Sequence, residues 1–447
     1  MSATSSTYLS RTFGSGDNLR KWTFSCWVKR SNLGSNNWIF HAITDTSNEN
    51  SFFFDGSDRL CFSIYEGGNN DYGRLTSTRK FRDVNCWYHL QIVWGSANST
   101  GADRMIMYVN GVRETAFDTN TTATLNFEGR WNRNGVVHRI GAYNAGGAYM
   151  FFEGSMSHIH FSDGYALAPT VFGETDSTTG EWKIKTNPSF TLGTNGFSIL
   201  KDGNTITDQS SNSNDWTLSA GTLTKTEDCP DNVFATLNPL EPMGANVSFE
   251  NGNTSFKCSD SSWRMFKGTL GMSSGKFYWE FKPTVDKGGD YAQIGILDAE
   301  TFDPDDYIGN ETYGYAYMFD GRKNVPAGAS SYGDTWTTND IISVALDMDN
   351  RKLYFAKNGT WQNSGVPTSG STGTGAISVS ATPSTFMVAG SLYEGSGGAP
   401  IYQFNFGNGY FGTTAISSEG TNASGIGKFE YDVPTGYTAL STKGLNE

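Results

Sequence analysis

Gly154-Ser-Met-Ser-His-Ile-His-Phe-Ser-Asp-Gly-Tyr-Ala-Leu-Ala-Pro-Thr-Val-Phe-Gly-Glu174 alternates in its first half and then breaks. Side chains on a strand alternate at period two. Met156, His158 and His160 therefore fall on one side, and Ser157, Ile159 and Phe161 on the other. Asp163-Gly164 is a turn signal, and Pro169 and Gly173 stop any regular element. The stretch predicts a strand that closes one domain and a segment that leaves it.

The rest of the chain has the same texture. Its 447 residues suggest about three domains at ~150 residues each. Charged residues make up 17%, aromatics 14%, and there are 53 glycines. Short aromatic runs broken by Gly, Asn, Ser and Thr predict strands and turns, not amphipathic helices. The net charge of -13 argues against nucleic acid and anionic membranes as partners, since both demand basic surface. No apolar run approaches the ~20 residues of a membrane span, so no membrane insertion is expected. The N-terminal residues show no apolar core of signal-peptide length. Cys26, Cys61, Cys86, Cys229 and Cys258 are odd in number and scattered, with no metal-type pair. They predict reduced, buried thiols in a protein made in a cytoplasm.

Residues 1–174 read as a first sandwich. Trp22, Phe24, Cys26 and Val28 share one strand face. Trp38–Phe40, Ser51–Phe54, Arg59–Tyr65, Trp87–Trp94 and Arg104–Val109 follow at a spacing of about ten residues. Asn110-Gly111 is a type I′ hairpin signal. Residues 175–244 read as a β-rich connector whose recurring aromatics (Trp182, Phe190, Phe197, Trp216, Phe234) favour packing over disorder. Residues 245–447 read as a second sandwich with a C-terminal tail. Its strands include Gly275–Phe281, Ala292–Leu297, Ile341–Leu346 and Lys352–Phe355. The fold class expected is all-β: two antiparallel, jelly-roll-like β-sandwiches joined by that connector.

Several motifs carry a resemblance. Phe24-Ser-Cys-Trp-Val-Lys-Arg30, Trp87-Tyr-His-Leu90, Tyr108-Val-Asn-Gly111 and the closing Asp163-to-Glu174 segment resemble concanavalin A-like (laminin-G type) domains of marine bacteriophage structural proteins. Pentraxin relatives tie two of these strands with a disulfide. Cys26 fits one partner, but Cys86 lies on the near side of His89 and is misplaced as the other. Gly275-Lys-Phe-Tyr-Trp-Glu280, Ile294-Gly-Ile296, the Asp340-to-Gly359 run and Asn405-Phe-Gly407 resemble a SPRY domain, again a sandwich. Asn232–Leu240 and Phe429–Leu440 resemble segments that connect and end such modules in phage proteins.

No motif predicts catalysis. Gly271-Met-Ser-Ser-Gly275 fits G-x-S-x-G, but every histidine precedes Ser273 and no helix is expected next. Gly407-Asn-Gly-Tyr-Phe-Gly412 fits G-x-G-x-x-G, yet no helix follows to hold a pyrophosphate. Glu174, Asp176 and Glu181 lie in a loop without the spacing of paired glycanase carboxylates. His158 and His160 could grip a metal, but no third ligand is evident nearby.

Binding candidates remain. Asn69, Asn70, Asp71 and Tyr72, with Trp131, Asn132, Asn134 and Tyr143, could supply the aromatic face and amide groups of a sugar site. Turn chemistry alone also accounts for the Asn and Asp residues. Tyr313, Tyr332 and Trp336 are the matching aromatics of the second sandwich. Asp298, Glu300, Asp303, Asp305 and Asp306 form an acidic loop, read either as a Ca²⁺ cradle or as a solvated loop; the EF-hand pattern is absent. No other cofactor is expected. The resemblances imply a non-enzymatic virion-surface protein synthesised in a bacterial cytoplasm: a tail fibre, head fibre or capsid decoration. It would contact other virion proteins and a host surface glycan or protein, as a homo-oligomer such as a trimer. A purely structural assembly protein and a polysaccharide-degrading enzyme are the alternatives.

Overall fold

The computed structural model describes residues 6–69, 72–145, 148–241, 246–259, 261–285, 291–393 and 399–446. The chain is all-β and divides into two compact units, 1–225 and 226–447. Each is a pair of largely antiparallel sheets around an aromatic core.

In the first unit the six-stranded sheet runs, in spatial order, 197–199, 154–163, 21–30, 87–95, 105–109 and 112–113. The eight-stranded sheet runs 117–121, 74–80, 59–65, 48–54, 37–45, 137–140, 8–12 and 217–220. Alternation places Trp22, Phe24, Cys26 and Val28 in the core, against Phe40, Phe52 and Phe62 of the facing sheet. Phe24 stacks on Phe40 at 4.5 Å. Asn110 (φ 48°) and Gly111 (φ 77°) make the turn between Val109 and Val112, both in the left-handed region that a type I′ turn demands.

The strand Gly154–Asp163 departs from the simple alternation expected. Its register with the 21–30 strand slips between Ser157 and His160, and His158 takes φ 47°. This β-bulge shifts the phase by one residue. Met156, Ile159 and Phe161 all reach the core, while His160 turns to the outer face. Nor does this strand close its sheet, because Phe197–Ile199 pairs along its outer edge. The expected connector is thus shared out. The strands at 197–199 and 217–220 complete the sheets of the first unit. Phe234 and Leu237 enter the core of the second.

All five cysteines are free. Cys26 faces Leu90 across the sheet, which leaves Cys86 outside that strand pairing.

The second unit pairs a nine-stranded sheet, centred on Lys276–Val285, with a six-stranded one. Phe277, Trp279 and Phe281 belong to its core. Tyr278 and Glu280 alternate with them, and the C-terminal tail closes over both. Phe429 packs edge-on to Tyr278 at 4.9 Å. Glu280 is fully buried. Its carboxylate accepts from the Glu430 and Tyr431 backbone N–H groups (2.9 Å each), Asn405 Nδ2 and the Tyr278 hydroxyl (3.1 Å each). Burial pushes this carboxyl up to about 7 against the pull of those four donors. A glutamine at 280 would turn an N–H₂ toward two donors. Glu280→Gln is expected to cost about 1–3 kcal/mol, read as a lower melting transition of the second unit; an unchanged transition would refute the clasp.

The five histidines all lie in the first unit. Burial lowers each: His89 and His138 to about 3, His158 to about 4, and His41 and His160 downward as well. A folded-state pKa below the unfolded value means that the unfolded chain takes the proton first. Stability is therefore full above about pH 6.5 and lost as pH falls, by about 2 kcal/mol at pH 5 for a histidine lowered as far as His89. Glu280 has the opposite sign. Its raised pKa stabilises the second unit below about pH 4.5, and that contribution is lost as pH rises through 7. Calorimetry between pH 7.5 and 5 should show one transition falling steeply on acidification and the other holding. Two transitions that fall together would contradict this assignment.

Candidate functional site

The residues singled out in the sequence do not converge. Asn70 and Asp71 lie outside the described residues. Asn69 is exposed and bridges to Glu66. Tyr72 is half-buried against Phe127 at 4.9 Å. Trp131 is wholly buried, 4.9 Å from Trp22 and 4.4 Å from Phe40, and donates Nε1–H to the Asn50 carbonyl at 3.1 Å. Its place as a sugar platform is withdrawn: the loop carrying it plugs the sandwich, and the ring has no open face. Asn132 (φ 66°) is equally buried, donating to Asp163 and to the Asn18 carbonyl and accepting from Asn195. Asn134 is exposed. Tyr143 is half-buried on Trp38 (4.7 Å) and His41 (4.8 Å), and burial raises its phenol.

In the second unit Tyr332 and Trp336 are core residues, at 6% and 2% exposure, and are likewise withdrawn as surface aromatics. Trp336 packs edge-on to Phe281, and Tyr332 accepts the Phe355 N–H. Tyr313 is half-buried against the same core. The acidic loop turns its charges inward on itself. Asp298 accepts from the Thr301 N–H and hydroxyl, Asp303 from the Asp305 N–H, and Asp306 from the Tyr307 N–H. Asp305 pairs with Arg264, and Glu300 is exposed. Among the described residues no group of three or more His, Cys, Asp or Glu is placed to hold a metal ion.

The histidine pair is structural in its surroundings. His160 is buried, hydrogen-bonded through Nδ1 to Ser198 Oγ (2.9 Å) and stacked on Phe172 (5.3 Å). His158 meets Ser157 Oγ at 2.7 Å. The 6.2 Å between the two rings leaves them separate.

What the sequence did not single out is the outer face of the six-stranded sheet. There Thr23, Ser25, His89, Gln91, His160 and Ser162 are buried although polar. The segment after Asp163 covers them. Thr23 Oγ1 donates to the Tyr165 carbonyl (2.9 Å) and accepts from Leu167 N–H (3.0 Å). Gln91 Nε2 donates to the Leu167 carbonyl at 2.7 Å. Trp182 Nε1–H donates to His89 Nδ1 at 3.1 Å, which fixes the proton on Nε2, facing Ser25 Oγ at 2.8 Å. Gly111 and Gly173 make room for that indole; a Cβ at either would lie 2.5 Å from the ring.

Where this cover begins, at Ala166, the outer face opens into a depression of about 470 Å³. Val93 and Ile106 form its floor, because Ile92, Trp94, Met105 and Met107 on either side point to the core. Arg20, Lys21, Asn98 and Asp103 form its rim. A second depression, about 190 Å³, opens between the edge strands 112–113 and 117–121 of the two sheets. Leu75, Met105 and Phe117 line its apolar part, with Glu114 and Asn120 at its polar part. An apolar floor with a few fixed polar groups suits a ligand with one apolar and one hydroxylated side.

Comparison with known proteins agrees with the two-module reading. Residues 4–171 match the concanavalin A-like lectin/glucanases superfamily (laminin G type), and residues 276–382 match the SPRY domain. The chain thus carries a concanavalin A-like laminin G domain followed by a SPRY domain. Among curated proteins, the ATP-dependent RNA helicase DDX1 of Xenopus laevis is 26% identical over 123 residues, 27% of this chain and 16% of the helicase. A probable ddx1 helicase of Dictyostelium discoideum is 29% identical over 99 residues, 22% of this chain and 12% of the other. The chain therefore spans less than a fifth of the length of these relatives. Among solved structures, the SPRY domain of human HERC1 is 16% identical, with 35% of this chain and 91% of that one covered and a TM-score of 0.29. A pentraxin of Limulus polyphemus is 17% identical, with 38% and 74% covered and a TM-score of 0.28.

Trp131→Ala is expected to remove a buried indole and destabilise the first unit by about 3–5 kcal/mol. Trp131→Phe, which keeps an aromatic filler, should fold with a smaller loss, read by thermal melting. Equal melting of the Phe variant and wild type would contradict the core-plug role.

Proposed function

We propose that this chain is a non-enzymatic binding protein of a bacteriophage virion surface, a tail fibre, head fibre or capsid decoration that attaches to host surface glycan or protein. The observation that carries the binding part is the pair of apolar-floored, polar-rimmed depressions on the laminin-G-type unit. The virion part rests on the resemblance of the closing, connecting and terminal segments to phage structural modules. Five free thiols suit synthesis in a reducing cytoplasm. Other virion proteins are its assembly partners. A homo-oligomer such as a trimer would add avidity to weak sugar sites.

Gold-labelled antibody against the chain, viewed on intact particles, tests this reading. Label at tail tips or projecting fibres is the expected outcome for host attachment. Label spread over the head would make decoration and assembly the primary role. Particles without label would remove the virion assignment and favour a host-encoded lectin.

A further inference from the structure

The two depressions adjoin. Ile106 lines both, and the short Gly101–Asp103 turn contributes Asp103 to the larger and Gly101 and Ala102 to the smaller. We infer that they form one bipartite site for an acidic glycan, with neighbouring sugar residues of a single chain lying to either side of that turn. This inference rests on the adhesion reading above and gives it a location and a ligand class.

Charge selects the class. Arg20 is paired with Glu128 (2.9 Å) and Arg113 with Asp103 (2.8 Å). Arg104 spends its N–H groups on the carbonyls of Asn98 (2.8 Å), Ser99 (3.2 Å) and Ala123 (3.0 Å). Among the described residues no carboxylate is paired with Arg104 or with the exposed Lys21. The first unit is close to neutral, with 19 basic and 20 acidic residues over 1–225. The positive charge left without a carboxylate partner beside its larger depression draws an anion there. A carboxylate or sulfate there would meet Lys21, a charge-assisted contact stronger than a neutral one.

Shape selects a sugar over a bare ion. The half-buried Ile106 offers an apolar floor to ring C–H groups in the larger depression, and the half-buried Phe117 offers another in the smaller. Asn98 on one side and Glu114 and Asn120 on the other can exchange hydrogen bonds with hydroxyls. Tyr165, which precedes the lining residue Ala166, is 43% exposed, and its carbonyl is held by Thr23. It is an aromatic on a fixed backbone at the margin of the site.

Calorimetric titration of the full chain with polygalacturonate, dextran sulfate and neutral dextran tests the inference. Binding to one of the acidic polymers at least tenfold tighter than to dextran is expected, and which polymer binds separates carboxylate from sulfate. Lys21→Glu should weaken that binding about tenfold. Lys443→Glu, the same charge change in the second unit, should leave it within twofold. Tyr165→Ala, which keeps the backbone carbonyl, should also weaken it. Equal binding to dextran, no binding to either acidic polymer, or equal losses in the two lysine variants would overturn the site. Retained attachment to dextran or to host cells in that event would leave the adhesion reading standing; loss of both would remove it too.

Discussion

A carboxylate taken out of water must be given N–H or O–H donors, and Asp163 takes its donors from three separate parts of the chain. It is fully buried at the end of the 154–163 strand. Asp17 N–H (2.8 Å) and Asn18 N–H (3.2 Å) reach it from the N-terminal loop, Asn195 N–H (3.2 Å) from beyond the sandwich motif, and Asn132 from the loop that carries Trp131. Gly193 comes so close that a Cβ there would lie 2.1 Å from the Asp163 carbonyl oxygen. The Asp-Gly signal that marks a turn in the sequence is therefore also a junction. It holds the entry to the first sheet, the core-plugging loop and the segment after the sandwich in one register. Glu280 repeats the device in the second unit, where the tail and the Asn405 strand supply the donors. In each unit a buried carboxyl group, not a disulfide, joins segments distant in sequence.

This device accounts for much of what was legible and what was not. Alternation and turn chemistry located the strands, because both are local: Trp22 to Val28 inward, Asn110-Gly111 at a hairpin tip, Lys276 to Phe281 at the centre of a sheet. The bulge at His158 has no local signature, since a one-residue slip leaves composition untouched. The connector could not be apportioned for a similar reason. Its polar loops look alike in sequence, whereas the partners that claim them, Asp163 for Asn195 and Leu440 for Ala235, lie far away in the chain. Trp131 and Asn132 show the same limit. An aromatic beside an amide in a loop has the composition of a sugar platform, and only long-range packing on Trp22 and Phe40 makes it a plug.

The outer face of the six-stranded sheet is the clearest case of polar sequence hiding burial. Strands that alternate apolar with Thr, Ser, His and Gln ordinarily have one wet face. Here the wet face is roofed by the segment from Tyr165 through Trp182, which supplies the missing partners: carbonyls for Thr23 and Gln91, an indole N–H for His89. Burying polar groups is costly unless they find partners, so the roof must lie in one register. Gln91 Oε1 is the group on this face left without one among the described residues. The neutral state of the histidines follows from the same burial, and so does their cost on acidification.

A roof in one register also has a fixed margin, and this bears on function. At Ala166 the cover gives way to Val93 and Ile106, residues of two rigid strands, rimmed by side chains at the strand ends. The site proposed there would be formed before its ligand arrives, which would reduce the ordering cost that weak, hydroxyl-rich ligands are poorly able to offset. In a unit whose charges nearly balance, 19 basic to 20 acidic residues over 1–225, a lysine without a carboxylate partner at that margin would favour an acidic chain over a neutral one.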